Sequence, residues 1–138
     1  MMGEKFITSF SGLLGFGVYF VMAVFLLVLF SLIYTRITPY KEFALISKGN
    51  LAAAWSFSGA LLGFAIPLAS AISHSVSLID MAVWGTIALV VQLLTFSAVK
   101  RLFPAIVSDI PENHVAQGVF LGVVSLVAGI LNAACMTY

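Results

Sequence analysis

The chain has 138 residues, of which 62% are hydrophobic and only 8% are charged, with a formal net charge of +1. Soluble domains carry about 25% charged residues, so these ionised groups are too few to cover a surface that faces water. The composition excludes an ordinary cytosolic enzyme, a nucleic-acid-binding protein and a disordered tail, and the single cysteine excludes a disulfide framework. A mean hydropathy of +1.18 indicates that the chain is embedded in the lipid bilayer, which is its expected partner.

Four apolar stretches without Asp, Glu, Lys or Arg predict an all-α membrane protein with four transmembrane helices. A bilayer crossing needs about 20 mainly apolar residues, and each stretch is close to that length. The first is interpreted as a retained span, because its apolar run is too long for a signal peptide and no A-x-A cleavage site follows. The whole chain, residues 1–138, then forms one integral membrane domain. The predicted spans are Leu14–Tyr34, Leu51–Ile72, Met81–Val99 and Val115–Tyr138.

Lysine and arginine are distributed unevenly between the connecting segments. Three lie in the loop 35–50 and two in the loop 100–114, whereas one precedes the first span and the turn 73–80 has none. Cytoplasmic loops carry the excess of positive charge in membrane proteins. The two basic loops are therefore predicted to face the cytoplasm, with both termini on the outer side.

The chain also shows signs of an internal duplication. Shifted by 63 residues, Asn50, Phe57 and Gly59 fall on Asn113, Phe120 and Gly122. Each unit is a helix, a basic loop and a second helix, and the units cover residues 12–72 and 81–138. Because two spans return the chain to its starting side, the halves are predicted to be parallel repeats related by a pseudo-twofold axis along the membrane normal.

The first basic loop contains residues that are typical of the start and the end of a short helix. Thr38 and Pro39 form an N-cap followed by proline at the first helical position, and Gly49 suits the helix end. Asn50 and Asn113 are predicted to cap the second and fourth spans. Two interpretations of this loop remain open: an anchor for the turn, or a docking surface for the membrane or a partner.

Several segments resemble one known family. They are RITP at 36–39, KGN at 48–50, SGALLG at 58–63 and GILNAACMT at 129–137. These are similar to the YjfL-type bacterial inner-membrane proteins, the uncharacterised family built from the domain of unknown function 350. The resemblance covers residues 12–138. It implies a small multi-spanning protein of the bacterial inner (plasma) membrane with a repeated unit, and it brings no established activity. In that membrane, the outward-facing termini predicted from the charge distribution would be periplasmic. Family members often occur alongside membrane-stress proteins, which implies a context in envelope maintenance.

Small residues recur at helical spacing on the second and fourth spans. Gly59 and Gly63 form one G-x-x-x-G pair, and Gly118 and Gly122 form another. Such pairs let helix backbones approach closely in lipid. They are predicted to pack the second span against the fourth, with self-association into a homo-oligomer as the alternative.

Two amides are the polar residues of most interest inside the spans. Gln92 lies near the middle of the third span, and Asn132 lies towards the outer end of the fourth. A buried amide is costly unless it is hydrogen-bonded. Both are predicted to act as helix–helix contacts, and the alternative is that they line a polar path.

No motif predicts catalysis, a cofactor or a metal site. His74 and His114 fall on opposite sides of the predicted membrane, so they cannot share a metal, and no role is assigned to them or to Cys135. The chain is therefore expected not to be an enzyme. We expect a structural or accessory protein, with a cytoplasmic protein partner at the loops 35–50 and 100–114. An oligomeric channel or small transporter is the alternative.

Overall fold

A computed structural model describes Met1–Met136 and shows an all-α protein, which confirms the predicted fold class. Four of its helices are long and apolar enough to cross a membrane. Within the described residues the helices are α1 (Met2–Ile37), α2 (Glu42–Ser47), α3 (Leu51–His74), α4 (Leu78–Leu102), α5 (Ile106–Asp109) and α6 (Val115–Cys135). The predicted fourth span reached Tyr138, but the helix ends at Cys135, and Thr137 and Tyr138 lie outside the described part.

Helix α1 is longer than the sequence predicted. It begins at Met2 rather than near Leu14 and has 36 residues, a length of about 54 Å against a hydrocarbon core of about 30 Å. No proline interrupts it, and Glu4 in its first turn interacts favourably with the helix dipole. Only its C-terminal half contributes to the core, through Leu26, Phe30 and Tyr34.

The centre of the bundle is the contact between α3 and α6, the most extensive between any two helices. The two run parallel, since early residues of one meet early residues of the other, as with Ala52 and Gly118, and later ones meet later ones, as with Gly63 and Gly129. Helix α4 packs against both, and α1 lies on α3 and α4. The proposed duplication is compatible with this parallel pair and stays a prediction.

An aromatic cluster joins three spans at the end that carries the basic loops. Phe30 of α1 stacks on Phe64 of α3, with ring centroids 4.5 Å apart. Tyr34 contacts Phe57 of α3 at 6.2 Å and the edge of Phe96 of α4 at 5.8 Å. Large flat side chains supply much packing area, so this cluster fixes α1 to the bundle.

The two asparagines act differently from each other. Asn50 caps α3 as predicted, since its side chain accepts a hydrogen bond from the Ala53 N–H at 2.8 Å. Its amide group donates to the Ile110 carbonyl oxygen at 3.0 Å, which ties α3 to the loop before α6. The prediction for Asn113 is wrong. His114 is the N-cap of α6, and Asn113 instead accepts from the Ala52 N–H of α3 at 3.1 Å.

The first basic loop also departs from its predicted geometry. The short helix begins at Glu42 with Lys41 as N-cap, so Thr38 is not its cap; Thr38 instead ends α1. Its hydroxyl donates to the Glu42 side chain across the turn between α1 and α2. Gly49 follows the helix at φ +85°, the left-handed conformation that glycine tolerates and that was expected there.

Candidate functional site

The predicted packing glycines lie in the contact between α3 and α6. A Cβ placed on Gly59 would overlap the backbone of Gly122, and one on Gly118 would overlap the backbone of Ala52. A Cβ on Gly63 would meet the backbone of Ser125. Glycine is required at these positions by the closeness of the two backbones. By contrast, Gly3, Gly12, Gly15 and Gly17 of α1 have open space around them.

Gln92 reaches the same contact from α4. It is 1% exposed, and its Nε2 donates to the Ser125 carbonyl oxygen of α6 at 3.0 Å. Its Oε1 and the Ser125 hydroxyl have no hydrogen-bond partner within residues 1–136. The amide therefore links α4 to α6 through one hydrogen bond.

Asn132 is not brought together with Gln92. It lies seven residues beyond Ser125 on α6, about two helical turns away. Its Nδ2 is buried and finds no partner in the described chain. The structure thus separates the two amides into isolated polar positions instead of joining them in one row.

A buried carboxylate, which the sequence interpretation missed, lies at the basic end of the bundle. Glu42 is 1% exposed, and its two oxygens lie 2.7 and 2.8 Å from the Thr38 Oγ1 that donates to them. Burial raises the pKa of Glu42 to about 7, against the opposing hydrogen bond from Thr38. The available signal was the spacing of Thr38 and Glu42, four residues apart in a loop flanked by apolar helices.

Two tyrosines surround this carboxylate. The hydroxyls of Tyr34 and Tyr40 are buried without a hydrogen-bond partner in the described residues. The Tyr40 hydroxyl approaches Ser56 without reaching hydrogen-bond geometry, and its ring meets the edge of Phe96 at 6.5 Å. Burial and the nearby Glu42 raise the pKa of Tyr40 above its usual range. The carboxylate thus sits among apolar rings and hydroxyl groups.

Three titratable side chains form a cluster between the end of α5 and the start of α6, with Glu112 and His114 exposed and Asp109 partly buried. Asp109, Glu112 and His114 place ligand atoms within 4.8 Å of one another. His114 Nδ1 lies 3.2 Å from an Asp109 oxygen, so these groups already pair among themselves. His74 ends α3 at the other end of the bundle, and the exposed Cys135 ends α6 there.

Both basic loops lie at one end of the molecule, because α3 and α6 begin side by side. Their lysine and arginine side chains are all exposed. A shallow cleft of about 350 Å³ between the ends of α1 and α4 includes Lys100, Arg101 and Ser97 in its lining. This end of the bundle presents positive charge over an apolar base.

Comparison with known proteins gives one consistent family. The model of the Domain of Unknown Function (DUF350) family matches residues 8–136. The chain is 47% identical over 126 residues to the UPF0719 inner membrane protein YjfL of Escherichia coli K12, covering 91% of this chain and 96% of the relative. It is 34% identical over 118 residues to the UPF0719 transmembrane protein YshE of Bacillus subtilis, covering 84% and 88%.

No solved structure matches the chain significantly. The family assignment therefore comes from the sequence relatives, and the four apolar helices agree with the membrane descriptions of those relatives. On this evidence the chain belongs to the DUF350 family of uncharacterised membrane proteins.

Proposed function

We propose that this protein is a non-enzymatic structural or accessory protein of the bacterial inner membrane, which acts through partners in envelope maintenance. The membrane assignment draws support from the relative of Escherichia coli, which is named an inner membrane protein. The role in the envelope follows the context implied by the family resemblance.

The observation that carries the proposal is the closed centre of the bundle. Helices α3 and α6 touch backbone to backbone at Gly59, Gly122 and Gly129, and Gln92 and Ser125 fill the adjoining space. A solute path through a single chain needs a polar cavity along the axis. Packing of this kind supports a scaffold more than a carrier.

The arrangement of reactive groups agrees with a non-enzymatic role. The two histidines lie at opposite ends of the bundle, and His114 is engaged with Asp109. The buried Glu42 is bonded to a threonine and surrounded by aromatic rings instead of a nucleophile. We therefore assign these groups to structure and regulation.

We place the basic end in the cytoplasm and both termini in the periplasm. The support is the positive-inside distribution together with the clustering of both basic loops at one end. In this orientation the loops 35–50 and 100–114 form one continuous surface for anionic headgroups or a cytoplasmic protein partner.

An oligomeric channel is the second candidate, and α1 is the observation that favours it. The N-terminal half of α1 lies outside the core, and Gly12 and Gly15 have open space on that half. Glycines on a lipid-facing helix allow close approach of a second helix. A pore between copies would need that contact.

Native mass measurement in nanodiscs, paired with solute flux in proteoliposomes, separates the two candidates. The structural role predicts the same small assembly for the wild type and Gly15→Leu, and no flux of ions or small neutral solutes from either. A larger assembly that conducts, and loses both properties on Gly15→Leu, would establish the channel. Val28→Leu, on an exposed position of the same helix, is the matched control.

A further inference from the structure

The Glu42 carboxyl group is buried with little to balance a negative charge. Thr38 is its only side-chain donor in the described chain, and that hydroxyl has one hydrogen to share between the two oxygens. Within residues 1–136, no nitrogen of Lys, Arg or His lies within 4 Å of this carboxylate. The backbone N–H of Glu42 also favours the charged form, but no cation balances it. A buried carboxylate with so few donors is costly, and the usual outcome is that the group takes up a proton.

The groups that face Glu42 from the surrounding elements are neutral or distant. Tyr34 comes from α1 and Tyr40 from the connecting loop, and both hydroxyls are buried. Helix α4 contributes the Phe96 ring through Tyr40. The only titratable residue of α3, His74, lies at its far end. The lysine and arginine side chains at the near end are all exposed: Arg36, Lys41, Lys48, Lys100 and Arg101. The other acidic residues there are Asp109, which is partly buried, and Glu112, which is exposed.

Comparison of the two short helices shows that a carboxylate is not needed to dock one. Helix α5 follows α4 much as α2 follows α1, and its buried residue is Ile106. The buried residue of α2 is Glu42. An apolar side chain does the same packing without a desolvation cost. Packing alone therefore does not account for an acidic residue at position 42.

We propose that Glu42 is a proton-binding site that controls the docking of α2. The protonated carboxyl group stays buried between Thr38 and the two tyrosines. When its proton passes to water, the carboxylate is stabilised by hydration, and α2 moves off α3 to expose it. The ligand is a single proton, exchanged with the aqueous side at the basic end.

The neighbouring chain has the features that such a movement needs. Gly49, at φ +85° and exposed, forms the joint between α2 and α3. The apolar contact holding α2 is modest, with Phe43 meeting Phe57 at 5.1 Å while remaining half-exposed. Lys41 and Lys48 flank α2 and are exposed, so undocking buries no charge.

The pH window follows from the raised pKa of Glu42. Burial raises this pKa from 4.5 to about 7, so the docked form binds the proton more tightly than the exposed form. Docking is fully stable below about 4.5 and weakens as the pH rises to about 7. Across that interval the undocked-to-docked ratio increases up to roughly tenfold per pH unit, and above it the ratio is constant.

Distance measurement between two spin labels tests the proposal directly. Nitroxides are placed at the exposed Ser47 of α2 and Ser58 of α3, with Cys135→Ser removing the native thiol. In nanodiscs the wild type should give one short distance at about pH 5 and a second, longer population at about pH 9. Glu42→Gln keeps the shape without the charge, so it should give the short distance at both values. A pH-independent wild type, or a pH response retained by Glu42→Gln, would overturn the proposal.

A second pair of variants keeps the test decisive if Glu42→Gln does not fold. Thr38→Val removes the hydrogen bond that stabilises the docked carboxylate, which raises the docked pKa of Glu42 further and lengthens the pH interval over which undocking grows. The undocked population at about pH 9 should therefore be larger in Thr38→Val than in the wild type. Thr38→Ser retains the hydroxyl and should keep the wild-type population, and equal undocked populations in the two variants would contradict a role for the Glu42 proton.

Discussion

At the scale of single residues, the side chains of Gln92, Asn50 and Glu42 are buried in the described chain. They differ in how many hydrogen bonds offset the cost of removing them from water. Gln92 satisfies its N–H group on the Ser125 carbonyl oxygen but leaves its Oε1 without a partner. Glu42 shares one hydroxyl between two oxygens. Asn50, by contrast, uses both ends of its amide, at 2.8 Å to Ala53 and 3.0 Å to Ile110. A buried group whose polar atoms are all hydrogen-bonded holds the structure in place, whereas a buried acid with few hydrogen bonds can change its protonation state.

Gln92→Leu should change the free energy of unfolding only slightly. The substitution removes the hydrogen bond to Ser125, and such bonds between membrane helices average about 0.6 kcal/mol. It also removes the unpaired Oε1, which offsets part of that loss. Reversible unfolding by SDS titration measures the change. Thr95→Val is the control, because Thr95 bonds only to the Val91 carbonyl oxygen of its own helix. A loss several times larger would mean that Gln92 organises a wider network.

At the scale of helices, close backbone approach replaces the hydrophobic effect as the source of cohesion. Lipid tails are as apolar as the side chains, so burial of apolar area gives no net drive for association. In the α3–α6 pair, glycine lies at points where the two backbones are in contact, at Gly59, Gly118 and Gly122. Helix α1 has no such contact over its first half and attaches by aromatic rings instead.

Gly59→Ala and Gly122→Ala should each destabilise the bundle by about 1–3 kcal/mol, because the added methyl group overlaps the facing backbone and forces the helices apart. Gly15→Ala on α1 is the matched control. It adds the same methyl group into open space, and alanine favours helix over glycine. SDS titration of the three variants measures the difference. If the two bundle variants resist unfolding as well as Gly15→Ala, the α3–α6 contact is not the packing centre.

At the scale of the whole molecule, the two ends of the bundle differ in charge. The exposed arginines and most of the lysines collect at the end where α3 and α6 begin, and Lys5 alone lies near the opposite end. The proposed proton site lies at the charged end, so a change of pH on that side of the membrane would act on the surface proposed to meet partners. Most of the apolar side chains of α1 are exposed on the outside of the bundle.

Cysteine accessibility in intact cells tests the proposed orientation. With Cys135→Ser as background, a cysteine at Val76, which is 89% exposed in the turn between α3 and α4, should react with a membrane-impermeant maleimide. One at Ser47, exposed at the basic end, should react only after lysis. The positive-inside rule is the physical reason, because positively charged loops resist export across the membrane. Labelling at Ser47 alone in intact cells would reverse the assignment.

The sequence by itself determined the class of the protein and its solvent. Apolar runs between charged loops specified four membrane helices, since insertion depends on summed hydrophobicity and not on neighbours. The cap at Asn50 and the turn at Gly49 were also predictable, because both rest on the local conformation of a few adjacent residues.

The tertiary structure alone decided how residues distant in the chain meet. Asn113 resembles Asn50 in sequence context, yet it serves α3 rather than its own helix, because the parallel packing brings the N–H of Ala52 to it. By sequence alone, Glu42 is a typical surface residue of a charged loop. It becomes buried only when α2 packs on α3 beside Tyr34 of α1 and Tyr40. Burial and its effect on pKa depend on contacts between helices, which a single sequence does not specify.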